Sequence, residues 1–225
     1  MARTAETLLE MYRLSLARFG HQKWWPGQTP LEVCVGAILT QNTNWTNVEK
    51  SILNLRSAGL LSIEALCGLD QAQLAEYIRP SGYFNIKAKR LKNFIRAVHE
   101  HSGGDLEAFL NRSVSALREE LLAINGIGRE TADAMVLYAA GKPTFVVDTY
   151  TFRVLLRHRL IDTDYDYEMI KDLLESNLPA DVALYNDFHA QFVAIGKSYC
   201  KPTARCEGCP LEAMPHDANR GRDEW

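Results

Sequence analysis

The stretch LEVCVGAIL, residues 31–39, is apolar on nearly every face when wound as a helix. A helix with no polar side must be wrapped by other elements, so this one belongs in the middle of a bundle. The rest of the chain supplies the wrapping. Stretches of helical period recur at 5–19, 31–40, 46–57, 62–67, 71–78, 85–99, 105–111, 114–123, 129–140, 149–159, 167–176 and 180–195, with Gly and Pro between them. Period-two alternation does not stand out anywhere. The one strand-like piece, TFVVD (144–148), is short and lacks a partner, so it reads as an extended connector. The predicted class is all-α.

At 225 residues, 47% hydrophobic and 24% charged, the chain is long enough for one large domain or two small ones. AGKPT (140–144) is the best internal boundary, because Gly141 and Pro143 end a helix there. No run reaches the length of a membrane span. The opening MARTAETLLEMYRLSLARFG reads as an amphipathic helix and not as a signal peptide, and the expectation is a soluble cytoplasmic protein with no membrane partner. The closing PHDANRGRDEW is polar and is expected to be loosely ordered. A net charge of −3 weighs against a uniformly basic nucleic-acid binder, but it is compatible with a local basic face. KAKRLKNFIR groups Lys87, Lys89, Arg90, Lys92 and Arg96, and Arg153, Arg157 and Arg159 form a second group. Each group suits either phosphate contact or a solvated helix face.

INGIGRETADAMVLYAA holds Gly126, Ile127 and Gly128 between two helical stretches. In the second, Ala132, Met135, Val136, Ala139 and Ala140 share one face at helical spacing. Glycines allow a tight turn and close backbone approach. This turn opens into a helix N-terminus, where free N–H groups favour an anion, and Arg129 stands beside it. A phosphate could dock there through main-chain groups; a plain glycine turn between packed helices is the simpler reading.

INGIGRETAD followed by VVDTYTFRV resembles the helix-hairpin-helix plus Gly/Pro-Asp motif of the endonuclease III superfamily of DNA glycosylases. VGAILTQNTNW (35–45) is similar to that superfamily's early buried helix and the loop after it, and RPSGYFNIKAKRLKNF (79–94) to a further block. The combination of WWP (24–26), LTQNT (39–43), RPSGYFNIKAKRL and GIGRETADA most resembles the 3-methyladenine DNA glycosylase III branch. The resemblance implies two helical domains flanking a DNA-binding cleft. One is a six-helix barrel at 31–142 carrying the hairpin; the other joins 1–30 to 143–225 and ends in a cysteine loop. It further implies a monomer that acts on double-stranded DNA with a damaged base. The implied activity is a monofunctional glycosylase of base excision repair, hydrolysing the N-glycosidic bond of alkylated purines such as 3-methyladenine after base flipping. An endonuclease III-like glycosylase for oxidised pyrimidines is the enzymatic alternative, and a non-catalytic damaged-DNA-binding module is the alternative of another class.

Cutting an N-glycosidic bond builds positive charge on the sugar as the base leaves. A fixed carboxylate stabilises that charge and can orient water. By resemblance Asp148 carries this role, and it is also a sound N-cap for TYTFRV. Glu130 stands where bifunctional members of the resembled superfamily carry a Schiff-base lysine. A carboxylate cannot form that adduct, which implies base removal without AP-lyase activity. Lys142 and Lys197 remain as alternative amines. Trp24, Trp25, Pro26 and Trp45 match the base pocket of the resembled branch, where electron-rich rings attract a cationic purine; core packing is the competing use of these side chains. Gln41 matches the residue that fills the gap left by a flipped base. Gly126, Gly128 and Arg129 are the expected backbone-gripping residues, with Lys87, Lys89 and Arg90 as basic surface.

Five cysteines are present, and Cys200, Cys206 and Cys209 crowd into the tail as C-x5-C-x2-C. This resembles the iron–sulfur loop of endonuclease III-type enzymes, which uses four thiolates for a [4Fe–4S] cluster. The fourth cysteine is missing, and Met214, Pro215 and His216 stand in its place. A cluster with His216 as substitute ligand, zinc on three Cys and one His, and a metal-free loop are the three alternatives. The first is preferred. Cys34 and Cys67 read as buried free thiols.

Overall fold

The computed structural model describes residues 2–221. Among them there is no strand, and twelve α-helices follow one another. They are α1 (Ala2–Phe19), α2 (Pro30–Leu39), α3 (Trp45–Ser57), α4 (Ile63–Gly68), α5 (Gln71–Tyr77), α6 (Phe84–Ser102), α7 (Leu106–Leu110), α8 (Val114–Ala123), α9 (Arg129–Ala134), α10 (Thr149–Arg157), α11 (Tyr167–Asn177) and α12 (Val182–Ser198). The all-α expectation holds, and each helical stretch read from periodicity has a counterpart. No helix among the described residues is long and apolar enough to cross a membrane. The chain forms two compact units. One runs to Trp24 and resumes at Pro143; the other spans Trp25–Lys142.

In the unit spanning Trp25–Lys142, α2 is the central helix. Thr29 caps it by accepting from the Glu32 amide, and Pro30 occupies the first turn, where a missing N–H costs nothing. Every residue from Leu31 to Leu39 is buried. Val35, Ile38 and Leu39 lose all solvent contact, each worth roughly 1.5–3 kcal/mol of apolar burial. Around α2 pack α3, α6, α9 and the turn after α9. Residues 25–30 belong to this unit, so it starts earlier than the expected boundary at 31. The physical reason is local: Trp25 packs on Trp45, and Thr29 caps α2.

The single helix expected over 129–140 is interrupted. From Met135 to Ala139 the backbone adopts a π turn, with the Ala140 amide donating to the Met135 carbonyl at 2.9 Å, five residues back. The expected one-sided stripe is also revised. Thr131 to Leu137 are buried without a break, while Ala139 and Ala140 are only half-buried.

The other unit packs α10 against α12, with α1 and α11 alongside. Gly196 on α12 makes this approach close: a Cβ there would lie 2.1 Å from Cδ1 of Tyr150 on α10. The connector 144–147 is extended and buried, as its apolar run requires. Its backbone groups find side-chain partners. The Phe145 amide donates to Glu175 Oε1 at 2.7 Å, and the Val147 amide donates to the Tyr167 hydroxyl at 3.4 Å. The Phe145 ring lies 5.3 Å from Tyr185 and 6.0 Å from Phe188, while Phe188 stacks on Phe192 at 4.5 Å. The tail is more ordered than its composition suggested. The Asp217 amide donates to the Arg157 carbonyl at 2.8 Å, His158 Nδ1 donates to the Pro215 carbonyl at 3.2 Å, and Arg220 pairs with Asp162. Residues 222–225 of the expected loose tail lie outside the described residues.

Candidate functional site

Asp148 ends the connector and caps α10. Its backbone is extended (φ −122°, ψ −179°), which lets the side chain fold back over the first turn. Oδ1 accepts from the Thr151 amide at 2.7 Å and from the Thr151 hydroxyl at 2.9 Å. Oδ2 faces His189 Nε2 on α12 at 3.6 Å, an ion-pair distance longer than a hydrogen bond. The Asp148 side chain is 11% exposed and that of His189 5%. Burial is the largest influence on the carboxyl and pushes its pKa up. The His189 imidazole and the two Thr151 donors together outweigh it, and the group is held below the usual carboxylate range. A shielded but ionised carboxylate results. His189 was not singled out in the sequence. Its signal there is only a polar residue within the apolar run FHAQFVAIG.

In the same unit Trp24 is half-buried, and the Lys197 ammonium sits 5.8 Å from its ring centre. Cys200, Cys206, Cys209 and His216 line one cavity, with Ile195 and Leu211 as apolar walls. Arg157 is buried beside it. Its NH1 donates to Cys200 Sγ at 3.2 Å and to the Lys201 carbonyl at 2.6 Å, and its NH2 donates to the Pro202 carbonyl at 2.6 Å. Arg153 is buried too and donates to the Cys200 carbonyl. The expected second basic surface is therefore corrected: Arg153 and Arg157 are internal struts of the cysteine loop, and exposed Arg159 lies 3.9 Å from Asp217. Among the described residues no three His, Cys, Asp or Glu groups gather tightly enough to hold a single ion. Three thiols and an imidazole facing one cavity still form the donor chemistry of a cluster, whose ligands are spread more widely than those of one ion.

In the unit spanning Trp25–Lys142, Asn44 caps α3 and so places Trp45 at its first position. The Trp45 ring meets Trp25 edge-on at 5.3 Å and 88°. Tyr138, carried by the π turn, lies 5.3 Å from Trp25 on a tilt of 38°. Gly36 on α2 gives these rings room: a Cβ there would lie 3.2 Å from Trp25 Nε1 and 3.4 Å from two Trp45 ring atoms. All three rings are half-buried, and Pro26 beside them is exposed. Trp25 and Trp45 are thus in contact, and Tyr138 joins them unforeseen. Trp24 lies in the other unit.

The hairpin and the Gln41 loop are wired to each other. Gln41 Nε2 donates to the Gly126 carbonyl at 3.2 Å and to the Thr131 hydroxyl at 2.9 Å. Arg90 donates through NH1 to Gln41 Oε1, while its stem fills the space where Gly126 would carry a Cβ. Gly126 has φ +99°, a conformation that side chains rarely adopt. Gly128 caps α9 with open space around it, and Arg129 and Glu130 are exposed on the first turn.

The basic group on α6 divides. Lys89 and Arg96 are exposed. Lys92 donates to the carbonyls of Leu66, Cys67 and Leu69. The expectation for Lys87 fails: it is 1% exposed, and its Nζ donates to the carbonyls of Leu39 at 2.8 Å and Ser81 at 2.7 Å. It satisfies the C-terminal end of α2 and has no reach to a phosphate. Burial, with the Arg90 charge adding to it, brings its pKa down to about 8. Cys34 is buried as expected; Cys67 is exposed, since it lies near the end of the short α4.

The profile of the family described as HhH-GPD superfamily base excision DNA repair protein matches residues 35–180. A Methanocaldococcus jannaschii protein provisionally named a DNA repair glycosylase is 44% identical over 92% of this chain and 94% of its own length. The structure of H. pylori 3-methyladenine DNA glycosylase (MagIII) bound to 1,N6-ethenoadenine superposes with a TM-score of 0.71 at 30% identity, covering 86% of this chain and 97% of that one. A non-covalent Endonuclease III–DNA complex superposes with a TM-score of 0.80 at 20% identity, over 98% and 99% of the two chains, and shares the fold.

Proposed function

The chain belongs to the HhH-GPD superfamily of base excision DNA repair proteins, and we propose that within it the chain is a monofunctional DNA glycosylase releasing alkylated purines from double-stranded DNA. The observation that carries this reading is the Asp148 carboxylate at the head of α10, nearly covered and facing His189 Nε2 at 3.6 Å. As the glycosidic bond lengthens, positive charge develops on the sugar. A preorganised carboxylate in a low-dielectric setting stabilises that charge without reorganising. The same group orients the attacking water and takes up its proton.

Trp25, Pro26 and Trp45 supply faces for a flipped base. Electron-rich rings favour an alkylated, positively charged purine over a neutral base. The similarity to the H. pylori 3-methyladenine DNA glycosylase, seen with 1,N6-ethenoadenine bound, supports a modified purine as substrate. Gly126, Gly128 and Arg129 grip the backbone, Lys89 adds a solvated positive charge, and Gln41 fills the vacated stack after leaving its internal partners. Arg90 holds Gln41 through NH1. Glu130 presents no amine, so no Schiff base forms at that position. Cys200, Cys206 and Cys209, with His216, would hold a [4Fe–4S] cluster; when bound it cross-links the loop through iron–ligand bonds.

The deciding assay incubates the protein with methylated DNA and with thymine-glycol DNA, scoring free base and strand nicks separately. Release of 3-methyladenine without nicks is expected. Release of thymine glycol with nicks would instead establish the oxidised-pyrimidine activity, and binding without any release a non-catalytic module.

A further inference from the structure

The two oxygens of Asp148 are not equivalent. Oδ1 accepts both Thr151 donors and is committed to the cap. Oδ2 has no partner within hydrogen-bond length among the described residues and faces His189 Nε2 at 3.6 Å. We propose that His189 is a positioning residue for base release, aiming Asp148 Oδ2 as the oxygen that meets the reacting sugar and its water. This rests on the reading of Asp148 as the reactive carboxylate.

The imidazole is fixed by packing. His189 sits in the run Asp187–Val193 of α12, every residue of which is buried. On the same helix Phe188 and Phe192 stack on each other, and Gly196 seats α12 directly on Tyr150 of α10. Both side chains are nearly covered, so little water intervenes between them.

The charged and titratable groups on the surrounding elements are engaged elsewhere. On α12, Asp187 accepts from the Tyr12 hydroxyl, the Gln22 amide and Gln191, and Lys197 lies over Trp24. On α10, Arg153 and Arg157 serve the cysteine loop. From α11, Glu175 accepts from the Thr144 hydroxyl and the Phe145 amide, and the Tyr167 hydroxyl meets the Val147 amide. His189 is the titratable group that faces Oδ2. The gap of 3.6 Å leaves Oδ2 able to accept from a water or approach the sugar while the imidazole holds its direction.

The test compares wild type, His189→Gln, His189→Asn and Asp148→Asn as full chains. Single-turnover release from methylated duplex is followed down the acid limb of the pH profile. Duplex affinity, melting temperature and an NMR titration of the Asp148 carboxyl are measured alongside. Loss of His189 is expected to slow release by about tenfold or more while duplex affinity stays within about twofold. The acid limb and the Asp148 titration should both move to higher pH, since burial remains and the imidazole no longer opposes it. An unmoved limb and titration, with rate loss that follows melting temperature in both His189 variants, would make His189 a packing residue and overturn the inference. If one variant does not fold, the other carries the same readouts. If Asp148→Asn releases base at the wild-type rate, the Asp148 reading itself has failed. If Asp148→Asn is silent while the His189 variants behave as wild type, only the His189 inference has failed.

Discussion

Gly126 and Arg90 are shaped to each other: a Cβ on Gly126 would lie 2.3 Å from Cγ of Arg90. The same arginine holds Gln41, whose amide nitrogen also bonds the Gly126 carbonyl. The hairpin glycine therefore governs the loop that carries Gln41 as well as its own turn.

Gly126→Ala should be costly on two counts, a strained φ of +99° and displacement of the Arg90 stem. A loss of about 1–3 kcal/mol is expected in denaturant unfolding. Gln41 mobility, followed by side-chain amide NMR, should rise in the same variant. An alanine variant as stable as wild type would show that the close approach is not required.

Lys87→Met keeps the apolar stem but strips the Leu39 and Ser81 carbonyls of their donor. It should cost about 1–3 kcal/mol. The pH dependence has a definite sign. Burial lowers the folded pKa to about 8, below that of an unfolded lysine, so the unfolded chain binds more protons as pH rises above 8. Wild type should gain stability relative to Lys87→Met across that alkaline window. Equal slopes of stability against pH in the two proteins would contradict it.

Asp148→Asn should abolish base release while leaving duplex affinity nearly intact, as judged by single-turnover kinetics and a binding titration. Because the folded carboxyl is held below its ordinary range, its contribution to stability is present above the unfolded pKa. That contribution disappears as pH falls through the folded value. Acid-side thermal melts of wild type should therefore fall more steeply than those of Asp148→Asn. Parallel loss of release and affinity would reduce Asp148 to its capping role.

Trp45→Ala removes a half-buried ring that meets Trp25 edge-on. Release of a cationic methylated purine should fall by at least about tenfold, with a stability loss of only about 1–2 kcal/mol. Calorimetry alongside base-release rates decides whether activity or folding takes the larger loss. A variant that melts early but releases base normally when folded would place Trp45 in the core alone.

Cys206→Ser should lower bound iron in the purified protein, measured by metal analysis and visible absorbance. His216→Ala tests the substitute ligand in the same way. Zinc in place of iron, or no metal in the wild-type protein, would overturn the cluster reading.

Most of the helical layout was legible because helical period is a local property. Thr29, Asn44 and Asp148 stand immediately before apolar-periodic runs, and each caps the helix that follows. The hairpin and Asp148 could be singled out because glycine spacing and a carboxylate after an apolar run are visible along the chain. What periodicity could not reveal is which long side chain turns inward. Lys87 and Lys89 share one basic run, yet Lys87 points under α2 while Lys89 faces solvent. Arg153 and Arg157 look like surface charge until the Cys200–Pro202 carbonyls are found waiting for them.

The sequence by itself determined most of the helices, the Asp148 cap and the glycine turn, since each rests on residues close together in the chain, and the family, through several short motifs each read locally. Only the tertiary structure decided that Tyr138 joins Trp25, that Arg90 serves Gln41, and that His189 faces Asp148. Those pairs are far apart in sequence. Their meeting depends on close approaches permitted by Gly36, Gly126 and Gly196, and on a π turn that shifts Tyr138 out of its α-helical register.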